Sequence, residues 1–133
     1  MQTLLSGGRE RHHLLHVPTD IAARPDLIIA LHALGSNPRL MEAMTLLSSR
    51  ADECGFIVCY PEGVRSAVSG VTSWNARCCC RGAKAEGVDD VLFISDLIDM
   101  LRDEHDIGRV LVTGFSNGGM LVHVAGIELS DKI

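Results

Sequence analysis

Positive charge is the scarcer sign in this chain: 12 Lys and Arg stand against 17 Asp and Glu, a formal net charge of −5 over 133 residues. The cations gather only as Arg9-Glu10-Arg11 and as Arg77, Arg81 and Lys84. Neither group is dense enough for a nucleic-acid footprint or a polybasic membrane patch. Long apolar runs are missing too. Leu27-Ile28-Ile29-Ala30-Leu31 is about as long as they get, against the ~20 residues that a bilayer-spanning helix demands. Residues 1–20 hold Gly7-Gly8, Arg9-Glu10-Arg11 and three histidines but no apolar stretch of signal-peptide length, so no leader is read there and a cytoplasmic location is expected. Internal repeats, low-complexity tracts and linkers are absent. The five cysteines include the consecutive Cys78-Cys79-Cys80, a poor zinc pattern because structural sites want ligands spaced two to four residues apart. No metal and no cofactor are expected.

What is present suffices for one domain, residues 1–133. Hydrophobic residues make 47% and charged ones 22%, a composition that buries a core rather than staying disordered. Arg11 to Val17 reads as a peripheral strand. Leu27 to His32 and Phe56 to Tyr60 are short continuous apolar runs, the pattern of strands buried on both faces. Between them Pro38 opens a helix over 39–54, with Leu40, Met44, Leu47 and Ala51 at helical spacing and Gly55 as its stop. Residues 61–87 read as a long loop. Val88 to His105 is a second helix, lined by Val91, Ile94, Ile98 and Leu101 and widened by Phe93 and Leu97. Val110 to Thr113 is a third buried strand, and Met120 to Leu129 a third helix. Strands separated by crossover helices are parallel, so the expected class is α/β, a mostly parallel sheet with flanking helices.

One motif carries chemistry. Gly114-Phe115-Ser116-Asn117-Gly118 fits G-x-S-x-G, and it lies between an apolar strand and an apolar helix. That setting suits a sharp strand-to-helix turn that lifts a serine hydroxyl to the carboxyl end of the sheet. The backbone N–H of Asn117, at the helix start, would point at negative charge developing on a substrate carbonyl. The loop His32-Ala33-Leu34-Gly35-Ser36 follows the first buried strand and would bring a second donor, the N–H of Leu34. The remaining histidines do not suggest themselves as a base. His123 is seven residues beyond Ser116, about 10 Å along a continuous helix, and His12, His13, His16 and His105 read as surface or strand-edge positions.

Taken together, Ile28–Ser36, Ala51–Gly63, Trp74-Asn75, Cys78-Cys79, Val88–Ile94 and Val112–Met120 resemble the α/β-hydrolase family of polyhydroxybutyrate depolymerases and feruloyl esterases. The motifs run in family order over about residues 10 to 130. The resemblance implies a serine ester hydrolase working through an acyl-serine intermediate on a small-molecule or polymeric ester. Ser116 would be the nucleophile, Leu34 and Asn117 the oxyanion hole, and His32 and Trp74 part of the substrate cleft. It also implies that family members are often secreted. Three departures stand out. Ala33 replaces a glycine, which matters if φ is positive there. Arg77, Cys80 and Arg81 replace small residues. The triad order Ser, Asp or Glu, His needs an acid and a histidine on later strands, and only residues 117 to 133 follow Ser116. The expectation is therefore a truncated α/β-hydrolase fold with its C-terminal strands missing. Such a chain would lack turnover, serve at most to bind an acyl group or a partner in the emptied cleft, and self-associate through the open sheet edge beside Val110–Thr113.

Overall fold

The structure, a computed structural model, describes residues 1–79 and 81–133. The expectations placed on Cys80 and on the Arg81 side chain lie outside the described residues.

Among the described residues, seven strands and five helices follow one another as β1 (Gln2–Ser6), β2 (Arg9–His16), β3 (Leu27–Leu31), α1 (Pro38–Thr45), α2 (Leu47–Cys54), β4 (Ile57–Pro61), β5 (Val64–Arg65), β6 (Thr72–Ser73), α3 (Arg81–Ala85), α4 (Asp90–Glu104), β7 (Val110–Gly114) and α5 (Asn117–Glu128). Five of the strands form one sheet in the order β1-β2-β4-β3-β7. β3 is parallel to both β4 and β7, with Ile28 opposite Val58 on one side and Leu111 on the other. The first buried strand thus lies between the other two. β1 and β2 are antiparallel to each other, and β2 is antiparallel to β4.

The strand β1 is absent from the sequence reading. Its signal is Gly7-Gly8, both with positive φ (55° and 74°), the backbone that a two-residue hairpin turn requires. The single helix expected over 39–54 is two. Leu46 sits at φ 54° and ends α1 while starting α2, and this break rotates the buried face. Met41 and Ala51 are buried, whereas Leu40 and Met44 are exposed. Asn37 caps α1 through Oδ1, which accepts the Leu40 N–H at 3.1 Å, and Pro38 opens the helix without needing an N–H partner. The loop expected over 61–87 contains the β5–β6 hairpin and α3.

Alternation along β3 and β4 divides the core. Leu27, Ile29, Leu31, Ile57 and Cys59 face α4 and α5, joined by Phe93, Leu97, Ile98 and Leu121. Ala30, Val58 and Tyr60 face the other way, onto Met41 and Ala51. This is a three-layer α/β arrangement. Burial pushes the Cys59 thiol pKa up, so it packs as a small hydrophobe. Of the other described cysteines, Cys54 and Cys78 are free thiols and Cys79 is disulfide-bonded. Among the described residues, no helix is long and apolar enough to cross a membrane.

A buried ion pair joins the sheet to α4. Arg11 Nη2 donates to Asp90 Oδ1 at 2.6 Å, and the guanidinium lies 4.0 Å over the Phe93 ring. His13, two residues along the same face of β2, is also buried. Its Nε2 pairs with Gln2 Oε1 at 2.9 Å, but its Nδ1 has no partner. At the other end of the sheet, β7 has β3 on one side and no strand on the other among the described residues. Leu111, Phe115 and Met120 are exposed on this flank.

Candidate active site

Ser116 is one of three non-glycine residues with positive φ among the described residues, at φ 51° and ψ −117°. That conformation is costly for a residue with a Cβ, and the surroundings enforce it. The Phe115 N–H donates to the Leu31 carbonyl at 3.1 Å, so the turn is tied to the end of β3. A Cβ on Gly118 would meet the carbonyl oxygens of Leu31 and His32, and one on Gly114 would lie 2.6 Å from the Gly118 carbonyl carbon. Both glycines are therefore dictated by close backbone approach. The helix begins at once after the serine, three residues earlier than Met120. Ser116 is exposed at the carboxyl end of β7, and its side chain makes no capping hydrogen bond.

Asn117 follows as the first residue of α5, and its side chain is buried. Its Oδ1 accepts the Trp74 N–H at 2.8 Å, and its Nδ2 donates to the Trp74 carbonyl at 3.1 Å. Trp74 reaches the second arm as well, since its indole Nε1–H donates to the His32 carbonyl at 2.9 Å. His32 Nδ1 pairs with the Ala33 carbonyl at 2.8 Å, and Nε2 accepts the Gly63 N–H at 3.0 Å. Those partners fix the neutral tautomer with the proton on Nδ1. Burial holds the His32 pKa down against the Ala33 carbonyl, Glu62 and Asp90, which all pull it up.

The expectation that His32 and Trp74 line the substrate cleft needs correction. Both side chains have no exposed surface, and their rings lie against each other at 4.9 Å. They sit beneath the site and support it. The concern over Ala33 does not materialise, because the positive φ in this loop falls on Gly35 (72°). Arg77 shows the reverse. It holds φ 61°, a conformation suited to the small residue that the resemblance expects there, and the bidentate pair with Glu128 anchors it.

A cleft of about 560 Å³ lies beside Leu34. Its lining includes Val71, Ser73, Cys78 and Lys84. Sequence reasoning does not find it, because its lining comes from Leu34 and from residues 69–84, which only the fold brings together.

The two buried histidines set a pH dependence. Burial depresses the His13 pKa first, with the N-terminal ammonium and His12 adding to it. Above the unfolded value near 6.5 both histidines are neutral in either state, and their contribution is complete. As pH falls below 6.5 the unfolded chain takes up protons before the folded one, so stability declines. Each histidine whose pKa is held down contributes to this decline. Urea denaturation at pH 7.5 and 5.5 measures this, and His13→Leu is expected to reduce the decline. Equal stability at both pH values would contradict the burial of neutral His13 and His32.

No protein-family model matches the chain. It is 30% identical over 128 residues to a bifunctional acetylxylan esterase/xylanase from Neocallimastix patriciarum, covering 95% of this chain and 17% of that protein. It is 31% identical over 111 residues to feruloyl esterase B from Thermothelomyces thermophilus, covering 82% of this chain and 36% of that one. The acetyl xylan esterase of Aspergillus awamori superposes with a TM-score of 0.76 at 19% identity, over 99% of this chain and 48% of that one. The chain thus spans about a third of its feruloyl esterase relative and half of that solved structure. Acetylxylan esterases join feruloyl esterases in the resemblance, whereas none of these three is a polyhydroxybutyrate depolymerase.

Proposed function

We propose, for a chain that belongs to the acetylxylan and feruloyl esterase lineage of α/β-hydrolases, that residues 1–133 hold the nucleophile and oxyanion hole of a serine ester hydrolase. Ser116 Oγ attacks the ester carbonyl and an acyl-serine intermediate forms as the alcohol leaves. The N–H groups of Leu34 and Asn117 receive the oxyanion. The observation that carries this reading is the left-handed backbone of Ser116, held against the end of β3 by Phe115 and Gly118. The cleft beside Leu34 suits the acyl side of a small-molecule or polymeric ester.

Activation of the serine is the part these residues do not supply. Both ring nitrogens of His32 are committed. His16 pairs with Asp52, and His123 is exposed on α5. Triad members act as a unit, and losing one costs on the order of 10⁴–10⁶ in rate. The purified 133-residue chain is therefore expected to hydrolyse a short-chain chromogenic ester no faster than its Ser116→Ala variant. Ser116-dependent turnover by the unaided chain would overturn the inactivity. The 560 Å³ cleft favours a second reading, an acyl-binding module without turnover. Saturable binding of an ester analogue to the Ser116→Ala variant, without any Ser116-dependent chemistry in any context, would select it.

The exposed flank of β7 carries the proposed partner behaviour. Its unpaired edge and apolar side chains are a template for a second chain. Light scattering is expected to find the 133 residues self-associated, and a monodisperse monomer with a cooperative thermal transition would contradict this.

A further inference from the structure

We infer that Trp74 is a positioning residue that sets both arms of the oxyanion hole at once, with Asp90 fixing Trp74 in turn. The inference rests on the reading of Leu34 and Asn117 as the oxyanion donors. The segment Thr72–Asn75 touches each arm through separate bonds. On the helix side, the Trp74 backbone makes the paired hydrogen bonds to the Asn117 carboxamide at 2.8 and 3.1 Å. On the loop side, the indole N–H holds the His32 carbonyl at 2.9 Å, and the Thr72 carbonyl accepts the Gly35 N–H at 2.8 Å. Leu34 is thus bracketed by two residues whose backbone groups are bonded to one short segment. Its own orientation is narrowed further by the His32 ring, which pairs with the Ala33 carbonyl.

The segment is itself anchored from the far side of the core. The Asn75 N–H donates to Asp90 Oδ2 at 2.6 Å while Asp90 Oδ1 accepts from Arg11 at 2.6 Å, and both charged side chains are buried. Asn75 Nδ2 also donates to the Val88 carbonyl at 2.7 Å. Backbone bonds run from Asn75 directly to Trp74, so Asp90 controls where Trp74 stands. Two oxyanion donors on different elements stabilise charge only if their separation and angle are fixed before the reaction. A single buried residue bonded to both elements provides that constraint, and an indole is needed because the loop-side bond uses its N–H.

The test reads the arms directly and does not depend on turnover. Backbone ¹⁵N order parameters of Leu34 and Asn117 are measured in the 133-residue chain and in Trp74→Phe, which keeps ring packing and the backbone bonds to Asn117 but loses the indole donor. In the parent chain both residues are expected in the rigid range near 0.85. In Trp74→Phe the Leu34 value is expected to fall toward about 0.6, while Asn117 stays rigid. That one-sided loosening separates positioning from a general loss of packing, which would loosen both arms. If Trp74→Phe does not fold, the same measurement is made with benzothienylalanine at position 74, which replaces the N–H by sulfur in the same shape. Unchanged order at Leu34, or equal loss at both residues, overturns the inference. Failure of the esterase reading would show instead as absence of Ser116 acylation once the 133 residues are joined to the C-terminal part of an esterase relative, with the order parameters of the 133-residue chain unaffected.

Discussion

Gly118→Ala is expected to lose about 3 kcal/mol or more of folding stability, a large share of the ~5–15 kcal/mol that a domain of this size possesses. The new methyl would press on the carbonyl oxygens of Leu31 and His32. Neither can retreat, because the Leu31 carbonyl accepts the Phe115 N–H and the His32 carbonyl accepts the Trp74 indole. Overpacking against backbone is costlier than overpacking against a side chain that can turn. Gly126 in the same helix is the control, since its Cβ would meet nothing within 4 Å. Gly126→Ala is expected to stabilise by up to about 1 kcal/mol through helix propensity. Urea midpoints of the two variants decide the matter, and a Gly118→Ala variant as stable as the parent would mean that the turn does not pack against β3 as described.

Arg11→Ala is expected to cost roughly 3–5 kcal/mol, the range for stranding one member of a buried ion pair. Burial pulls the Arg11 pKa down and Asp90 pulls it back up, so each charge tolerates the interior because of the other. Removing the guanidinium would leave the Asp90 carboxylate with the Asn75 N–H as its remaining hydrogen-bond donor. It would also remove the cation above the Phe93 ring. The double variant Arg11→Met, Asp90→Asn removes both charges and keeps an acceptor for Asn75. It is expected to recover at least half of the loss in equilibrium denaturation. A single Arg11→Ala variant within about 0.5 kcal/mol of the parent, as for an ordinary surface substitution, would contradict the burial of the pair.

The middle of the sheet is legible because short apolar runs such as Leu27–His32 and Phe56–Tyr60 admit few readings when Gly and Pro bound them. Alternation then divides them between two helical layers. The helix read over 88–105, which spans 90–104, is equally plain, since all six of the apolar positions read along it are buried. The break within 39–54 leaves no local trace, because nothing in the sequence announces a leucine at positive φ. Leu46 adopts it where α1 gives way to α2, and the resulting rotation exchanges Leu40 and Met44 for Met41 on the buried face. Within the site, the motif pointed to Ser116 because the constraint is local: glycines are needed where a turn meets a strand end. The roles of His32 and Trp74 were not local. They follow from hydrogen bonds spanning 42 and 43 residues, between Trp74 and the His32 carbonyl and between Trp74 and Asn117. A motif scan contains no record of such bonds.

The most direct measurement joins these 133 residues to the C-terminal part of the feruloyl esterase relative and reads fluorophosphonate labelling by intact mass. The unaided chain is expected to label poorly, because its serine hydroxyl lacks a base, whereas the joined chain is expected to gain one adduct at Ser116 and to hydrolyse a chromogenic ester. Ser116→Ala is expected to abolish both signals in the joined chain. A joined chain that folds cooperatively yet acquires no adduct at Ser116, or acquires it equally in Ser116→Ala, would contradict the assignment of this turn as a nucleophile site.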